Sequence, residues 1–210
     1  METRAYNLFA KRNHKVSIRV MEGHFSTQHS HVTHCVDMTR IKSELNAARA
    51  TAKLFAESFS SVAVDTIITL DRMKMVGGFI AEEFANSTGL NMNQDIAVIS
   101  PEITREDNLI LRDNLVPYVK SRRVLLLCAT ATTGLTAMSA VRGIRYYGGD
   151  CVGVGTVFGG KFEIPGVPVV RLIGLEDLPS YSSYAPGECP LCKDGVKVDA
   201  LINSYGYSKI

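Results

Sequence analysis

The stretch Val124-Leu125-Leu126-Leu127-Cys128-Ala129-Thr130-Ala131-Thr132-Thr133-Gly134-Leu135-Thr136 decides the fold. An apolar run of strand length breaks into small and hydroxyl residues, and helix-compatible sequence follows from Leu135 to Tyr146. Strand, tight loop and helix amino terminus make a phosphate cradle. The orphan N–H groups of the first helical turn and the positive end of the helix dipole both face an incoming anion. Thr130, Ala131, Thr132, Thr133, Gly134, Leu135 and Thr136 are the expected phosphate-binding residues, with the threonines adding hydroxyl donors. The two positions at the strand end hold Cys128 and Ala129 and offer no carboxylate.

Outward from this stretch, strands alternate with helices. Lys42 to Phe59 carries apolar residues at roughly helical spacing. Val62 to Leu70 predicts a buried strand, Gly77 to Phe84 a helix, and Ile96 to Ser100 a strand stopped by Pro101. Cys151 to Phe158 predicts a glycine-rich strand, Phe162 to Val167 a turn with Pro165-Gly166 at its tip, and Val167 to Leu175 the last strong strand. This pattern gives an α/β fold, a mainly parallel twisted sheet flanked by helices. Ligands on such sheets bind at the carboxyl ends of the strands, so the ends of the Val62, Ile96 and Val124 strands should cluster. The first forty residues predict a short helix and then a hairpin-like segment. The whole chain reads as a single domain: hood 1–40, α/β core 41–178, tail 179–210.

Bulk composition is that of an ordinary globular chain, with 46% hydrophobic and 21% charged residues and a net charge of +2. A nucleic-acid binder would show a basic patch with interleaved aromatics, and this chain has neither. No apolar run approaches membrane-span length, and METRAYNLFAKRNHK lacks a signal-peptide core, so the expected compartment is the cytoplasm. Five cysteines, Cys35, Cys128, Cys151, Cys189 and Cys192, do not make a disulfide framework.

Several segments, in order, resemble the type I phosphoribosyltransferases and among them the orotate phosphoribosyltransferases. Gly23-His24-Phe25-Ser26 resembles the family's amino-terminal Gly-x-Phe segment. Asp65-Thr66-Ile67-Ile68 leading to Gly77-Gly78 resembles the strand and glycine pair around the pyrophosphate loop. Leu125 to Gly134 resembles the family's order of aliphatic strand, two acids, two small residues and Thr-Thr-Gly, with Cys128-Ala129 in the place of the acids. Glu188-Cys189-Pro190-Leu191-Cys192 resembles the Cys-Pro-x-Cys tail of many orotate enzymes. The resemblance spans roughly residues 20 to 200.

It implies the type I fold with a small amino-terminal hood and a carboxyl-terminal tail. It also implies a homodimer, and transfer of phosphoribose from phosphoribosyl pyrophosphate to a base such as orotate, in pyrimidine biosynthesis. Magnesium would accompany the diphosphate, with no organic cofactor. The segment from Asp71 through Arg72 to Lys74 supplies the diphosphate-loop candidates. The family's ribose-contacting acids fall on Cys128 and Ala129, which cannot accept charge-assisted hydrogen bonds or offset a developing cation. Two readings stay open: a transferase in which another acid, such as Asp71 or Asp150, substitutes, or a catalytically impaired relative that binds a nucleotide 5-phosphate or phosphoribosyl pyrophosphate in a regulatory role. No catalytic residue is assigned.

By resemblance, the charged stretch Pro101 to Asn108 takes the place of the family's mobile loop, but from there on no lysine or histidine comes before Lys120. Asp107 to Leu115 reads as structured, and Arg105 and Arg112 are candidate phosphate contacts. The run His24, His29, His31, His34 with Cys35 invites a metal, but the corresponding family segment contacts base and substrate. Cys189-x-x-Cys192 is half of a zinc site, and without a second pair it reads as tail packing or a redox-sensitive pair. The expectation is no metal. Tyr181, Tyr184, Tyr205 and Tyr207 read as packing or dimer contacts.

Overall fold

A computed structural model describes residues 2–28, 30–104, 106, 108–185 and 187–210. After one 3-10 turn, three antiparallel strands open the chain: β1 (Ala5–Ala10), β2 (Asn13–Ser26) and β3 (His31–Asp37). The expected amino-terminal helix is therefore a single turn, because alternating apolar residues such as Val16, Ile18 and Val20 commit the segment to a half-buried sheet. Two helices follow where one was expected. The first, α1 (Thr39–Ser43), and the second, α2 (Leu45–Ser58), are divided at Glu44, whose ψ of 128° is extended.

The core then alternates. Strand β4 (Thr66–Thr69), helix α3 (Lys74–Ala85) and strand β5 (Ala97–Ile99) lead into a small hairpin, β6 (Glu102–Ile103) with β7 (Leu109–Ile110). Strand β8 (Arg123–Ala131), helix α4 (Leu135–Tyr146), β9 (Asp150–Gly159) and β10 (Val169–Gly174) complete it. A five-stranded, wholly parallel sheet results, ordered β10-β9-β8-β4-β5. The tail supplies β11 (Ser183–Tyr184), a one-turn helix α5 (Pro190–Lys193), and the hairpin β12 (Ala200–Asn203) with β13 (Gly206–Lys209). These strands join β1, β2 and β3 in a six-stranded mixed sheet, with β11 beside β3 and β12 parallel to β2.

Strand periodicity explains how β8 sits at the centre. Successive side chains point to opposite faces. Leu125, Leu127 and Ala129 enter the cluster that includes Phe55, Phe59 and Ile80 of the α2 and α3 face. Val124, Leu126 and Cys128 enter the cluster with Ala137, Ala140 and Ile144 of α4. All six are almost fully buried, which is why the run reads as continuously apolar. Burying each such leucine contributes about 1.5–3 kcal/mol. The glycines of β9 have a packing role on the α2 side. A Cβ at Gly155 would lie 2.9 Å from Phe55, and one at Gly153 would lie 2.7 Å from Phe59. Those glycines let two helix rings lie directly on the sheet.

Candidate functional site

The carboxyl ends of β4 and β8 open into a cleft of about 570 Å³ between the parallel sheet and the mixed sheet, within the size range of ligand pockets. Its floor is Thr130 to Thr136 with Leu70 and Asp71. Its walls are Cys35 to Thr39 with Lys42, the hairpin residues Thr27, Gln28 and Ser30, Ile103 with Thr104, and Ile202 to Tyr207 of the tail. The end of β5 sits beside the floor, where the Ser100 and Thr69 hydroxyls are 2.8 Å apart. The expected clustering of strand ends is present.

The loop itself is shorter than expected. Strand β8 runs on through Ala131, pairing Thr130 with Phe158 and Ala131 with Gly159, so the turn comprises Thr132, Thr133 and Gly134. Extra pairing was available because β9 continues to Gly159 alongside it. Gly134 has φ +78°, and a Cβ there would lie 2.4 Å from the Phe162 ring. Glycine is required on both counts. No side chain caps α4, and the Thr133 hydroxyl stands 3.5 Å from the Leu135 amide, at the limit of a hydrogen bond. An uncapped helix amino terminus facing a cleft can receive an anion.

The positions matched to the missing acids do not line the cleft. Cys128 is 1% exposed and packs toward α4, where burial pushes its thiol well above the ordinary range. Ala129 is 2% exposed. A carboxylate reaches this strand end from β4 instead: the Ala129 amide donates to Oδ2 of Asp71 at 3.1 Å. The other candidate acid, Asp150, stands opposite Arg123 at the far end of the sheet and has no part in the cleft.

Asp71 and Arg72 both hold left-handed backbone, φ +50° and +65°, in a turn closed by the Met73 amide on the Leu70 carbonyl at 2.9 Å. Such residues cost roughly 1–2 kcal/mol each, and strain of this kind concentrates at binding sites. Of the other diphosphate-loop candidates, the Arg72 guanidinium lies over the Tyr205 ring at 4.5 Å, on the cleft's rim. Lys74 opens α3, exposed and outside the lining.

Sequence reasoning missed Lys42, since a lysine at the start of an amphipathic helix looks like a solvated end. Its ammonium donates to the Ser204 carbonyl at 3.1 Å and lines the cleft. Burial pulls its pKa down, opposed by the charges of Asp71 and Asp37. A partly desolvated cation near Asp71 is suited to a phosphate. Tyr181 also lines the cleft. It packs edge-on against Phe158 with centroids 6.1 Å apart, and burial raises its phenol to about 12.

Of the other candidates, His34 and Cys35 stand at the cleft wall, each tied up by its surroundings. Arg112 is held by both carboxylate oxygens of Glu102 across the β6–β7 hairpin. Arg105 and His29 lie outside the described residues. The His34 ring lies within hydrogen-bond distance of the Thr33 and Ser180 hydroxyls. Cys35 is buried, its thiol raised to about 12 mainly by burial.

The chain is similar to known phosphoribosyltransferases. The orotate phosphoribosyltransferase of Caldanaerobacter subterraneus subsp. tengcongensis is 29% identical over 184 residues, 84% of this chain and 87% of that protein. That of Chlorobium phaeobacteroides is 25% identical, covering 86% and 88%. The crystal structure of a phosphoribosyltransferase from Corynebacterium diphtheriae superposes with a TM-score of 0.54 at 23% identity, over 76% of this chain and 90% of that one. This chain has the type I phosphoribosyltransferase fold. No protein-family model matches it. Its sequence resemblance to orotate phosphoribosyltransferases runs over most of its length, and among the described residues no helix is long and apolar enough to cross a membrane.

Proposed function

We propose that this chain is a phosphoribosyltransferase that takes phosphoribosyl pyrophosphate and transfers its phosphoribose to a nitrogenous base of the orotate class. The observation that carries the proposal is the Asp71 carboxylate at the Ala129 amide, on the floor of a cleft whose other floor element is the uncapped α4 turn. The names of the sequence relatives support the choice of base.

In this reading the 5-phosphate sits at the amides and hydroxyls of Thr132 to Thr136. The diphosphate lies toward the β4–α3 turn, where Lys42 balances its charge. The bond from ribose C1 to the diphosphate oxygen breaks, and a bond from C1 to the base nitrogen forms. The ribose carries positive charge between the two events. Asp71 offsets that charge, replacing the carboxylates that Cys128 and Ala129 lack.

Magnesium fits the donor set, because the carboxylate residues Asp71 and Asp37 line the cleft, Asp37 with one oxygen held by the Thr39 amide and hydroxyl, and this ion keeps much of its shell as water and phosphate oxygen. When bound it would neutralise charge on the departing diphosphate. The same reading includes a homodimer, a cytoplasmic location and a role in pyrimidine biosynthesis. Light scattering on the purified chain tests the first.

The functional test follows heat of binding and diphosphate release together, with phosphoribosyl pyrophosphate, magnesium and a panel of bases including orotate. Binding with orotate-dependent release supports the transferase. Binding without release for any base overturns it and leaves a phosphate-binding regulator.

A further inference from the structure

The histidines and cysteines left aside by the cleft meet elsewhere. His24, His31, Cys189 and Cys192 bring one ligand atom each into a group whose members all lie within 4.8 Å of one another. His24 Nε2 is 2.9 Å from His31 Nδ1 and 3.6 Å from each of the two sulfurs, and Cys192 Sγ is 3.2 Å from His31 Nδ1. A tetrahedral zinc with bonds of about 2.0–2.1 Å to nitrogen and 2.3 Å to sulfur sets its ligands roughly 3.3 Å apart for two nitrogens and roughly 3.6 Å apart for nitrogen and sulfur. The four atoms are already near that spacing.

The local chemistry orients them. A carbonyl can only accept, so the 2.8 Å contact of His24 Nδ1 with the Val196 carbonyl places a proton on Nδ1 and turns the Nε2 lone pair of the neutral ring inward. This is the outer hydrogen bond that metal-binding histidines make. The β2–β3 register shifts between Glu22 and Phe25, and that irregularity turns His24 inward until it is 1% exposed. Cys189 is fully buried and Cys192 follows three residues later in α5, a spacing that presents two sulfurs to one ion.

We propose that these four residues form a Cys2His2 zinc site that clasps the tail to the β2–β3 hairpin. Two soft sulfurs and two imidazoles in tetrahedral array select zinc among common divalent ions. The need is physical. Among the described residues, the buried cluster in this part of the mixed sheet is small, Met21, Phe25, Val32, Cys35 and Ala200 with Ala5, Tyr181, Ile202 and Tyr207 packed against it, so a metal cross-link here adds order that little apolar burial supplies. Around the clasp the tail is tied by the His24 amide to Asp199 Oδ2 at 2.9 Å and by the Asp199 amide to the His24 carbonyl at 2.7 Å. Ile202 to Tyr207, next along the chain, form a wall of the cleft. The zinc therefore holds one side of the ligand site without touching the ligand.

The test is metal content by mass spectrometry on the full chain purified under reducing conditions, with uptake of cobalt by the stripped protein read from its visible spectrum. One zinc per chain and an intense tetrahedral cobalt spectrum with sulfur-to-cobalt bands are expected. Cys192→Ser and His31→Ala should each lose at least tenfold in zinc affinity, while Cys35→Ser keeps the full complement. Cys192 is exposed, so its serine variant should still fold, and circular dichroism of the variant checks this. Stripping the zinc should lower the melting temperature and restore it on readdition. A reduced, folded wild-type chain that takes up neither zinc nor cobalt overturns the proposal. So does a Cys192→Ser variant that binds zinc as tightly as the wild type. These readouts are independent of whether the cleft transfers phosphoribose.

Discussion

The β4–β8 strand pair carries a carboxylate at each end, and the two are treated oppositely. At the amino end, Asp65 accepts three hydrogen bonds from one residue: the Arg123 amide at 2.8 Å, Nε at 2.9 Å and Nη2 at 2.6 Å. The Arg123 hydrogen bonds and charge hold its pKa at about 2. At the carboxyl end, Asp71 sits on left-handed backbone and accepts, among the described residues, one hydrogen bond from a neutral amide. A carboxylate whose acceptors are filled by a bidentate guanidinium holds strands in register. One that is strained, lightly bonded and exposed to a cleft has capacity left for a ligand. In the proposed function, that difference separates scaffold from site within a single pair of strands.

Asp71→Asn should break this contrast most severely. It keeps the size of the side chain but removes its charge, and diphosphate release should fall roughly 10²–10³-fold, the scale for losing one preorganised electrostatic group. The melting temperature should stay nearly constant. Gly134→Val comes next. With φ at +78° and Phe162 in the way, it should weaken phosphoribosyl pyrophosphate binding at least tenfold by calorimetry, with a lower melting temperature. Unchanged affinity would place the cradle elsewhere.

Lys42→Met should weaken the same binding by a smaller factor. Its pH dependence sharpens the point. Burial lowers the Lys42 pKa from its ordinary 10.5, so affinity should decline as pH rises into the alkaline range, before an ordinary lysine would titrate. Lys42→Arg should flatten that decline, because a guanidinium keeps its charge; a wild-type profile that declines no earlier than an ordinary lysine titrates would contradict the role.

Asp65→Asn should have the smallest effect, about 1 kcal/mol of stability at neutral pH after allowance for solvent screening, with turnover unchanged. The sign is fixed by linkage. The folded pKa of about 2 lies below the ordinary 3.8, so the contribution is fully present above 3.8 and is lost as pH falls through 2. The gap between wild type and variant in urea melts should therefore close in strong acid.

Much of the core was legible because local pattern and tertiary position agree. The helix expected from Leu135 to Tyr146 is α4 with those same bounds, since a glycine turn starts it and a buried apolar stripe carries it. Val62 to Leu70 read too long. Val64 is buried but its amide goes to Asn91 Oδ1, not to a strand, and apolar residues that pack without pairing look like strand residues in sequence. The mixed sheet was poorly legible. Pairing of Ala200 with Phe25 joins segments about 175 residues apart, and nothing local announces a parallel partner at that distance.

The site shows the same limits. Thr132 to Thr136 could be placed from strand–turn–helix order alone. Lys42 could not, because its position depends on how α1 turns beneath the tail. The cysteine pair reads in sequence as half of a metal site because the histidines the zinc proposal adds, His24 and His31, lie more than 150 residues earlier. Asp71 was named both as a diphosphate-loop residue and as a substitute acid, and only the fold puts its carboxylate at the Ala129 amide.

The most direct test sets Asp71→Asn and Asp65→Asn side by side, measuring orotate-dependent diphosphate release and thermal melting on the same preparations. A crossed result is expected: Asp71→Asn loses at least a hundredfold in turnover with its melting temperature kept, and Asp65→Asn keeps turnover and melts lower. Equal turnover in the two variants, with wild-type release intact, would contradict the division of labour between the two ends of the strand pair.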